Sequence, residues 1–170
     1  MTVLVAAASK HGATAEIAEA IGRALRESGV AADVRPVEQV DDLSAYAEVV
    51  LGSAVYVGRW LKPARRFAET HAYELTARPT WLFSSGPVGD PPKPEAGQAV
   101  QIEPLMTKTK ARGHRLFAGK IDKGKLGFGE RALTLALRVA EGDFRDWAEI
   151  ATWARTIAEA ISEEGSSDVR

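Results

Sequence analysis

The sequence predicts one α/β domain with five parallel strands in the order 2-1-3-4-5 and helices on both faces of the sheet. Apolar runs alternate with segments of three- and four-residue apolar spacing, which indicates strands alternating with helices and right-handed crossovers. The first, third and fourth strand segments are apolar, as central strands are, whereas the second and fifth are more polar, as edge strands are. A chain of 170 residues has the length of one core.

The first strand is predicted from the apolar run Val3–Ala7, which shows no alternation and therefore suits a strand covered on both faces. A loop at Ser9–Gly12 follows. Apolar residues then recur at helical spacing, which predicts a helix that ends at Gly29. These residues are Ile17, Ala20, Ile21, Ala24 and Leu25.

The second strand is predicted at Ala32–Val37, and at an edge, because Pro36 cannot donate a hydrogen bond to a ladder. The third is the buried run Glu48–Gly52, which leads into an irregular loop. One helix follows, and its inner stripe consists of Leu61, Ala64, Phe67, Ala68 and Leu75. The fourth strand is Pro79–Phe83.

The last third of the sequence begins with a loop rich in proline and glycine, Gly86–Pro94, and a helix around Ala99–Ala111. His114–Ala118 is polar enough to be the other edge strand. The final helix, Phe144–Ile161, places its apolar residues on one side. We therefore expect a single domain over residues 1–163, with an extension at 119–143 and a flexible tail at 164–170.

The composition excludes several classes of function. The formal net charge is −1, so the chain lacks the positive field that draws proteins to nucleic acid. It has no cysteine, which removes disulfides, thiolate metal sites and a cysteine nucleophile. No stretch approaches the roughly 18 apolar residues of a membrane span, so a cytoplasmic protein is expected. His71 and His114 have no partners at metal-ligand spacing, so no metal site is predicted.

The loop after the first strand is the candidate anion site. In the predicted strand order, ligands bind between the first and third strands. The loop joins the central strand to a helix start, where unpaired amides and the helix dipole favour an anion such as a phosphate. Its candidate residues are Ser9, Lys10, His11, Gly12, Ala13 and Thr14. The alternative is that Ser9 only caps the helix and the loop binds nothing.

The loops after the third and fourth strands complete the candidate site. Tyr56 and Trp60 could flank a planar ring, although both residue types also serve as packing. From the third strand onward the candidates are Ser53, Ala54, Val55, Tyr56, Val57, Gly58 and Trp60. From the fourth they are Ser84, Ser85, Gly86, Pro87, Val88 and Gly89. Because all three loops follow strands beside one crevice, we expect them to share one ligand.

The spacing of Ser9, Gly12 and Thr14 resembles the flavodoxin phosphate loop T-x-T-G-x-T, with His11 where that family has its middle threonine. Neither G-x-G-x-x-G nor G-x-x-x-x-G-K-[ST] is present, which disfavours dinucleotides and triphosphates. Gly52–Gly58 and Glu141–Trp147 resemble the menaquinone-dependent protoporphyrinogen oxidase group. That resemblance covers nearly the whole chain and includes the extension after the fifth strand.

The resemblance implies a flavodoxin-like fold and an FMN enzyme that takes hydrogen from a porphyrinogen and passes electrons to a quinone. One alternative is an FMN electron carrier or quinone reductase of unknown substrate. Another is a non-catalytic domain that keeps the fold and has lost FMN, which the substitution at His11 keeps open. The near-neutral charge weakens the carrier reading, because small carriers are usually strongly acidic. The oligomeric state is not fixed by the sequence, and a homodimer is compatible with it.

The extension carries cations among apolar residues. They are Lys120, Lys123, Lys125, Arg131 and Arg138. A basic, apolar segment over 120–139 can rest on anionic lipid at the inner face of a membrane, or hold the carboxylates of a substrate. The alternative is that its apolar side packs against its own domain while the cations remain solvated.

Overall fold

The strands form as their apolar patterns predict, with boundaries that differ by a few residues. In this computed structural model, residues 1–86, 100–121 and 142–167 are described. In chain order the strands of the main sheet are β1 (Thr2–Ala8), β2 (Ala31–Pro36), β3 (Glu48–Tyr56), β4 (Arg59–Trp60), β5 (Thr80–Ser85) and β6 (Gly113–Phe117). Within the described ranges, the parallel order is β2-β1-β3-β5-β6. The predicted order is confirmed, since β4 is a short antiparallel addition to the end of β3.

Helices cover both faces of the sheet. They are α1 (Ala13–Glu27), α2 (Lys62–Thr70), α3 (Ala72–Thr76), α4 (Glu103–Thr109) and α5 (Trp147–Ser167). Alternate residues of β1 enter two separate cores: Val3 and Val5 pack with α1 and α5, whereas Leu4 and Ala6 pack with α2, α3 and α4. None of these described helices is long and apolar enough to cross a membrane.

The middle of the sheet depends on a glycine in β3. Gly52 lies beside Phe83 of β5 in the parallel register. A Cβ atom at Gly52 would lie 2.1 Å from Cζ of the Phe83 ring, well inside van der Waals contact. Phe83 is fully buried and meets Phe117 and Trp153 at centroid distances of 6.2 Å. Gly52 therefore makes room for the cluster of Phe83, Phe117 and Trp153 in one core.

The C-terminal helix is longer than predicted. The expected helix ended at Ile161 and residues 164–170 were expected to form a flexible tail, but α5 continues to Ser167. The hydroxyls of Ser162, Ser166 and Ser167 each donate to the carbonyl four residues earlier. Glu164 forms an ion pair with Arg112. These contacts support the last turn, and 168–170 lie outside the described residues.

The predicted helix over 61–75 is two helices that meet at His71, which caps both. His71 is buried, and its Nδ1 lies 2.8 Å from Oε1 of Glu74. The side chain therefore holds the junction together. The apolar stripe predicted for this segment is nevertheless inward, since Ala64, Phe67 and Leu75 are buried.

A two-stranded stem marks both ends of the predicted extension. Strands β7 (Lys120–Ile121) and β8 (Gly142–Asp143) pair antiparallel, and the amide of Phe144 donates to the carbonyl of Gly119 at 3.1 Å. The residues on either side of this segment thus lie next to each other, beyond the end of β6. Residues 122–141, with the cations at 123, 125, 131 and 138, lie outside the described residues.

Candidate functional site

The first loop turns into α1 through a left-handed glycine. Gly12 has φ +89° and is the N-cap of α1, a conformation that favours glycine. Its amide donates to the Ser9 hydroxyl at 3.1 Å, and its carbonyl accepts from the amide of Glu16 at 3.1 Å. Apart from Gly12 itself and its chain neighbours, no atom of the described residues lies within 4 Å of where a Cβ of Gly12 would stand. The start of the helix is therefore approachable by a ligand.

These features fit a phosphate monoester. The first amides of a helix have no carbonyl partner within it, and its dipole favours an anion at this end. Because the Ser9 oxygen accepts from Gly12, its proton remains for donation to a ligand. Lys10 and His11 are exposed beside it. Thr14 is only 2% exposed, so its hydroxyl can meet only a group seated within the turn.

The hairpin between β3 and β4 forms a second wall of the site. Tyr56 is 42% exposed and Val57 is 72% exposed, and both stand at the carboxyl end of β3. Val57 has φ +49° and Gly58 has φ +71°, which turns the chain back on itself. The ammonium of Lys10 lies 5.1 Å from the centroid of the Tyr56 ring. This contact joins the first loop to the hairpin.

The end of β5 closes the same edge of the sheet. Gly86 has φ +101°, and a Cβ there would lie 3.9 Å from the carbonyl oxygen of Val55. Its amide donates to the carbonyl of Phe117 at 2.9 Å. A Cβ at Gly119 would lie 3.1 Å from the Gly86 amide nitrogen. The three predicted loops and the stem therefore meet at one edge; Pro87, Val88 and Gly89 lie outside the described residues.

Four side chains at positions assigned to the ligand lie in the interior of the structure: those of Trp60, Ser53, Ser84 and Ser85. Trp60 is 2% exposed and donates from Nε1 to the Ser84 hydroxyl at 2.8 Å. Ser53 is buried, donates to the Ala54 carbonyl and accepts from the Leu61 amide. Ser84 and Ser85 belong to β5 and are buried. The side chains of Ser53, Trp60 and Ser84 thus join the ends of the strands to the loops that follow them.

The Trp60–Ser84 bond continues to β6. The Ser84 oxygen lies 2.7 Å from Nε2 of His114, where the histidine tautomer sets which of the two groups donates. Burial lowers the pKa of His114, which favours the neutral imidazole. The side chains of Trp60, Ser84 and His114 thus connect the β3–β4 hairpin through β5 to β6, the strand at the edge of the sheet.

Arg145 is a residue near the site that sequence reasoning did not select. Its side chain is only 4% exposed. Nε and Nη2 bind the two oxygens of Asp143 at 2.8 and 2.7 Å, and Nη1 binds Glu16 and the Ala13 carbonyl of α1. The hydrogen bonds from Arg145 lower the pKa of Asp143 to about 2. The one signal in the sequence was that Arg145 lies in the segment 141–147, which carried the family resemblance.

A cavity of about 800 Å³ lies next to the first loop, Ser9–Gly12, on the side of that loop that faces β2. It is bounded by Ser9 and Gly12, by the end of β2 and by Trp147. The prediction placed the ligand between the first and third strands, so this cavity shares only the phosphate end of the predicted site.

Comparison with known proteins gives a family and a fold. The model of a family described as "Flavodoxin domain" matches residues 4–146. The protein named protoporphyrinogen IX dehydrogenase (quinone) of Escherichia coli strain K12 is 24% identical over an alignment of 172 positions, which covers 93% of this chain and 95% of that protein.

Solved structures of similar fold include a flavodoxin from the domain Archaea, with a TM-score of 0.65 and 20% identity, covering 95% of this chain and 99% of that one. The flavodoxin of Streptococcus pneumoniae TIGR4 has a TM-score of 0.63 and 17% identity, covering 96% and 99%. The rubredoxin oxygen:oxidoreductase of Desulfovibrio gigas has a TM-score of 0.65 at 13% identity, and the match covers 95% of this chain but only 36% of that one. Likeness at these identities shows the fold.

Proposed function

We propose, because this chain belongs to the flavodoxin domain family, that it binds FMN non-covalently at the carboxyl edge of the sheet and acts as an FMN-dependent oxidoreductase. The observation that carries the proposal is the meeting of three loops at that edge. One is the left-handed turn at Gly12, which leaves the start of α1 approachable. The second loop contacts the first through the Tyr56 ring and the Lys10 ammonium. The third loop, at Gly86, lies beside the carbonyl of Val55 in the second.

Each wall has a separate part in holding the cofactor. The amides that begin α1, with the Ser9 hydroxyl, would bind the phosphate, because a dianion gains most from a helix N-terminus. Tyr56 and Val57 offer exposed apolar surface against the flavin ring. Gly86 lets backbone approach the ring closely. Bound FMN supplies hydride and single-electron transfer, and the protein supplies orientation and electrostatics.

For the reaction, we propose removal of hydrogen from a porphyrinogen and delivery of the electrons to a quinone. Support comes from the similarity to protoporphyrinogen IX dehydrogenase (quinone), which extends over nearly the full length of both chains. The net charge of −1 also suits an enzyme better than a small acidic carrier that docks on basic partners. At 24% identity the substrate and the acceptor belong to the proposal.

The decisive experiment has two stages. The purified protein is first titrated with FMN, while its absorption and its tryptophan fluorescence are recorded. It is then assayed with protoporphyrinogen and a menaquinone analogue under anaerobic conditions. We expect saturable binding near one FMN per chain and quinone reduction that depends on the porphyrinogen. Redox cycling without the porphyrinogen would instead indicate the electron carrier, and absence of FMN binding would indicate a domain that has lost its cofactor.

Peripheral contact with a membrane through residues 120–139 is also part of the proposal. Its support is the sequence alone, because most of that segment lies outside the described residues. Flotation with liposomes that contain anionic lipid, at low salt, tests it: association that falls as salt rises is expected, and no association at any salt would exclude it.

A further inference from the structure

Arg145 joins three parts of the chain beside the phosphate end of the proposed FMN site. It contacts Asp143 of β8 through two nitrogens, and its guanidinium carbon lies 4.5 Å from the centroid of the Trp147 ring at the start of α5. The third nitrogen, Nη1, reaches the first turn of α1, where it binds the Glu16 carboxylate and approaches the Ala13 carbonyl at 3.4 Å. Asp143 and Trp147 therefore fix the direction in which Nη1 points.

The negative charge of Glu16 at the start of α1 gives the ion pair with Arg145 a consequence for phosphate binding. Glu16 is an acidic residue in the first turn of the helix, where a carboxylate is attracted to the same end of the dipole as a phosphate. Two anions at one helix start repel each other, and solvent screens part of this repulsion because the Glu16 side chain is 61% exposed. A cation that draws the Glu16 carboxylate toward β8 lessens that repulsion.

We propose that Arg145 is a positioning residue for the phosphate of bound FMN, an inference that rests on the function proposed above. It acts through two contacts with α1: it draws the Glu16 carboxylate toward Asp143 and Trp147, and it steadies the first turn through the Ala13 carbonyl. Arg145 itself is buried between these groups and does not touch the phosphate. Its effect on flavin binding is thus specific to ligands that carry the phosphate.

The test compares FMN with riboflavin, which has the same ring and no phosphate. Dissociation constants are measured for the full chain and for the variants Arg145→Met and Arg145→Lys. We expect Arg145→Met to weaken FMN binding about fivefold to tenfold, since it removes the guanidinium from the Glu16 carboxylate and from the Ala13 carbonyl, and to change riboflavin binding by less than about threefold. Lysine keeps the charge but cannot bridge Asp143 and α1 at once. The FMN dissociation constant of Arg145→Lys should therefore lie between those of the wild type and Arg145→Met.

A second pair of variants separates the charge effect from a general loosening of the fold. In the double variant Arg145→Met with Glu16→Gln, the anion that competes with the phosphate is gone, and most of the lost FMN affinity should return. The matched control is Arg78→Met, because Arg78 also donates to backbone carbonyls, those of Tyr46 and Glu74, at the opposite end of β5. It should leave the ratio of the FMN and riboflavin constants unchanged.

The outcomes separate this inference from the proposed function. If the wild-type chain binds neither flavin, the proposed function fails and the role of Arg145 fails with it. If the wild type binds FMN, but Arg145→Met weakens both flavins equally or neither, the proposed function stands and the positioning role is overturned. If riboflavin binds too weakly to measure, the double variant decides, and no recovery with Glu16→Gln would overturn it.

Discussion

The indole nitrogen of Trp60 donates a 2.8 Å hydrogen bond to the hydroxyl of Ser84, although the two residues are 24 positions apart. Trp60 ends the hairpin that carries Tyr56, and Ser84 belongs to a central strand whose other side chains are buried. The bond therefore anchors the exposed hairpin of the candidate site to the rigid centre of the sheet. It also removes Trp60 from contact with any ligand.

Replacement of Trp60 by phenylalanine should destabilise the fold by about 1–2 kcal/mol, because the Ser84 oxygen loses a buried donor and some packing is lost. Urea unfolding of Trp60→Phe, Ser84→Ala and the double variant measures the coupling between the two side chains. We expect the double variant to cost about 1 kcal/mol less than the sum of the single variants. Strictly additive costs would mean that the bond contributes nothing.

The left-handed turn at Gly12 should be needed for FMN binding. Alanine at φ +89° costs about 1 kcal/mol of backbone strain, and it shifts the amides that begin α1, so we expect FMN affinity of Gly12→Ala to fall about tenfold. Gly29→Ala is the matched control, since Gly29 has φ +84° at the other end of the same helix. It should lose comparable stability and keep its FMN affinity. Equal FMN affinities in the two variants would contradict the assignment.

Tyr56 should contribute to binding of the flavin ring. Removal of the ring in Tyr56→Ala is expected to weaken FMN and riboflavin together, by about tenfold, because stacking does not depend on the phosphate. Tyr73→Ala provides the comparison, as Tyr73 is 86% exposed on α3, away from the site. Fluorescence titration of both variants with both flavins reports the result, and an unaffected riboflavin constant in Tyr56→Ala would exclude a ring contact.

Glu48 should make the stability of the fold depend on pH. Burial, reinforced by the charge of Glu164 and opposed by Arg112, raises the pKa of Glu48 from 4.5 to about 7. Glu48 is only 4% exposed. Among the described residues, no donor forms a hydrogen bond with its Oε2 atom. The native state therefore keeps a proton that the unfolded chain releases, and stability falls as pH rises from about 4.5 to 7.

Glu48→Gln removes that proton equilibrium while it keeps the size of the side chain. The free energy of unfolding of this variant, minus that of the wild type, should be near its minimum below pH 4.5 and rise by about 2 kcal/mol by pH 8, after allowance for solvent screening. Denaturant unfolding across this range gives the difference. A flat difference for Glu48→Gln across this range would refute the assignment.

Gly52→Ala should destabilise the core by about 1–3 kcal/mol, since its Cβ would collide with the buried Phe83 ring. Gly165→Ala tests the opposite case: Gly165 lies within α5, and outside the adjacent helix backbone and its chain neighbours no described atom is within 4 Å of its Cβ position. That substitution should stabilise the protein by up to about 1 kcal/mol through helix propensity. Thermal unfolding of both variants measures the contrast, and similar shifts of the same sign would show that packing at Gly52 is not limiting.

Much of the fold followed from local patterns. The apolar runs of β1, β3 and β5 predicted buried central strands, and Pro36 predicted an edge, because these depend on the side chains of one short segment. The predicted ends of helices were less accurate where a residue at the end is held by a partner far away in the sequence. The last turn of α5 was missed, since its ion pair links Glu164 to Arg112, a contact invisible to a search for helix signals.

The candidate site shows the same division. The turn at Ser9–Gly12 could be predicted, because glycine and hydroxyl residues at a helix start have a local reason to be there. The role of Trp60 could not, because an aromatic residue after a strand suits both stacking on a ligand and burial. Arg145 had no local signal for its contacts with α1, which lie 129 and 132 residues away.

Residue order alone was thus sufficient for the class of fold, the succession of strands and the loop suited to a phosphate, since periodicity, proline and glycine act over a few residues. Folding in three dimensions decided which polar and aromatic side chains are exposed at the carboxyl edge of the sheet and which are buried behind the loops. Burial and hydrogen bonding are properties of neighbours in space, and the neighbours of Trp60, Glu48 and Arg145 come from distant parts of the chain.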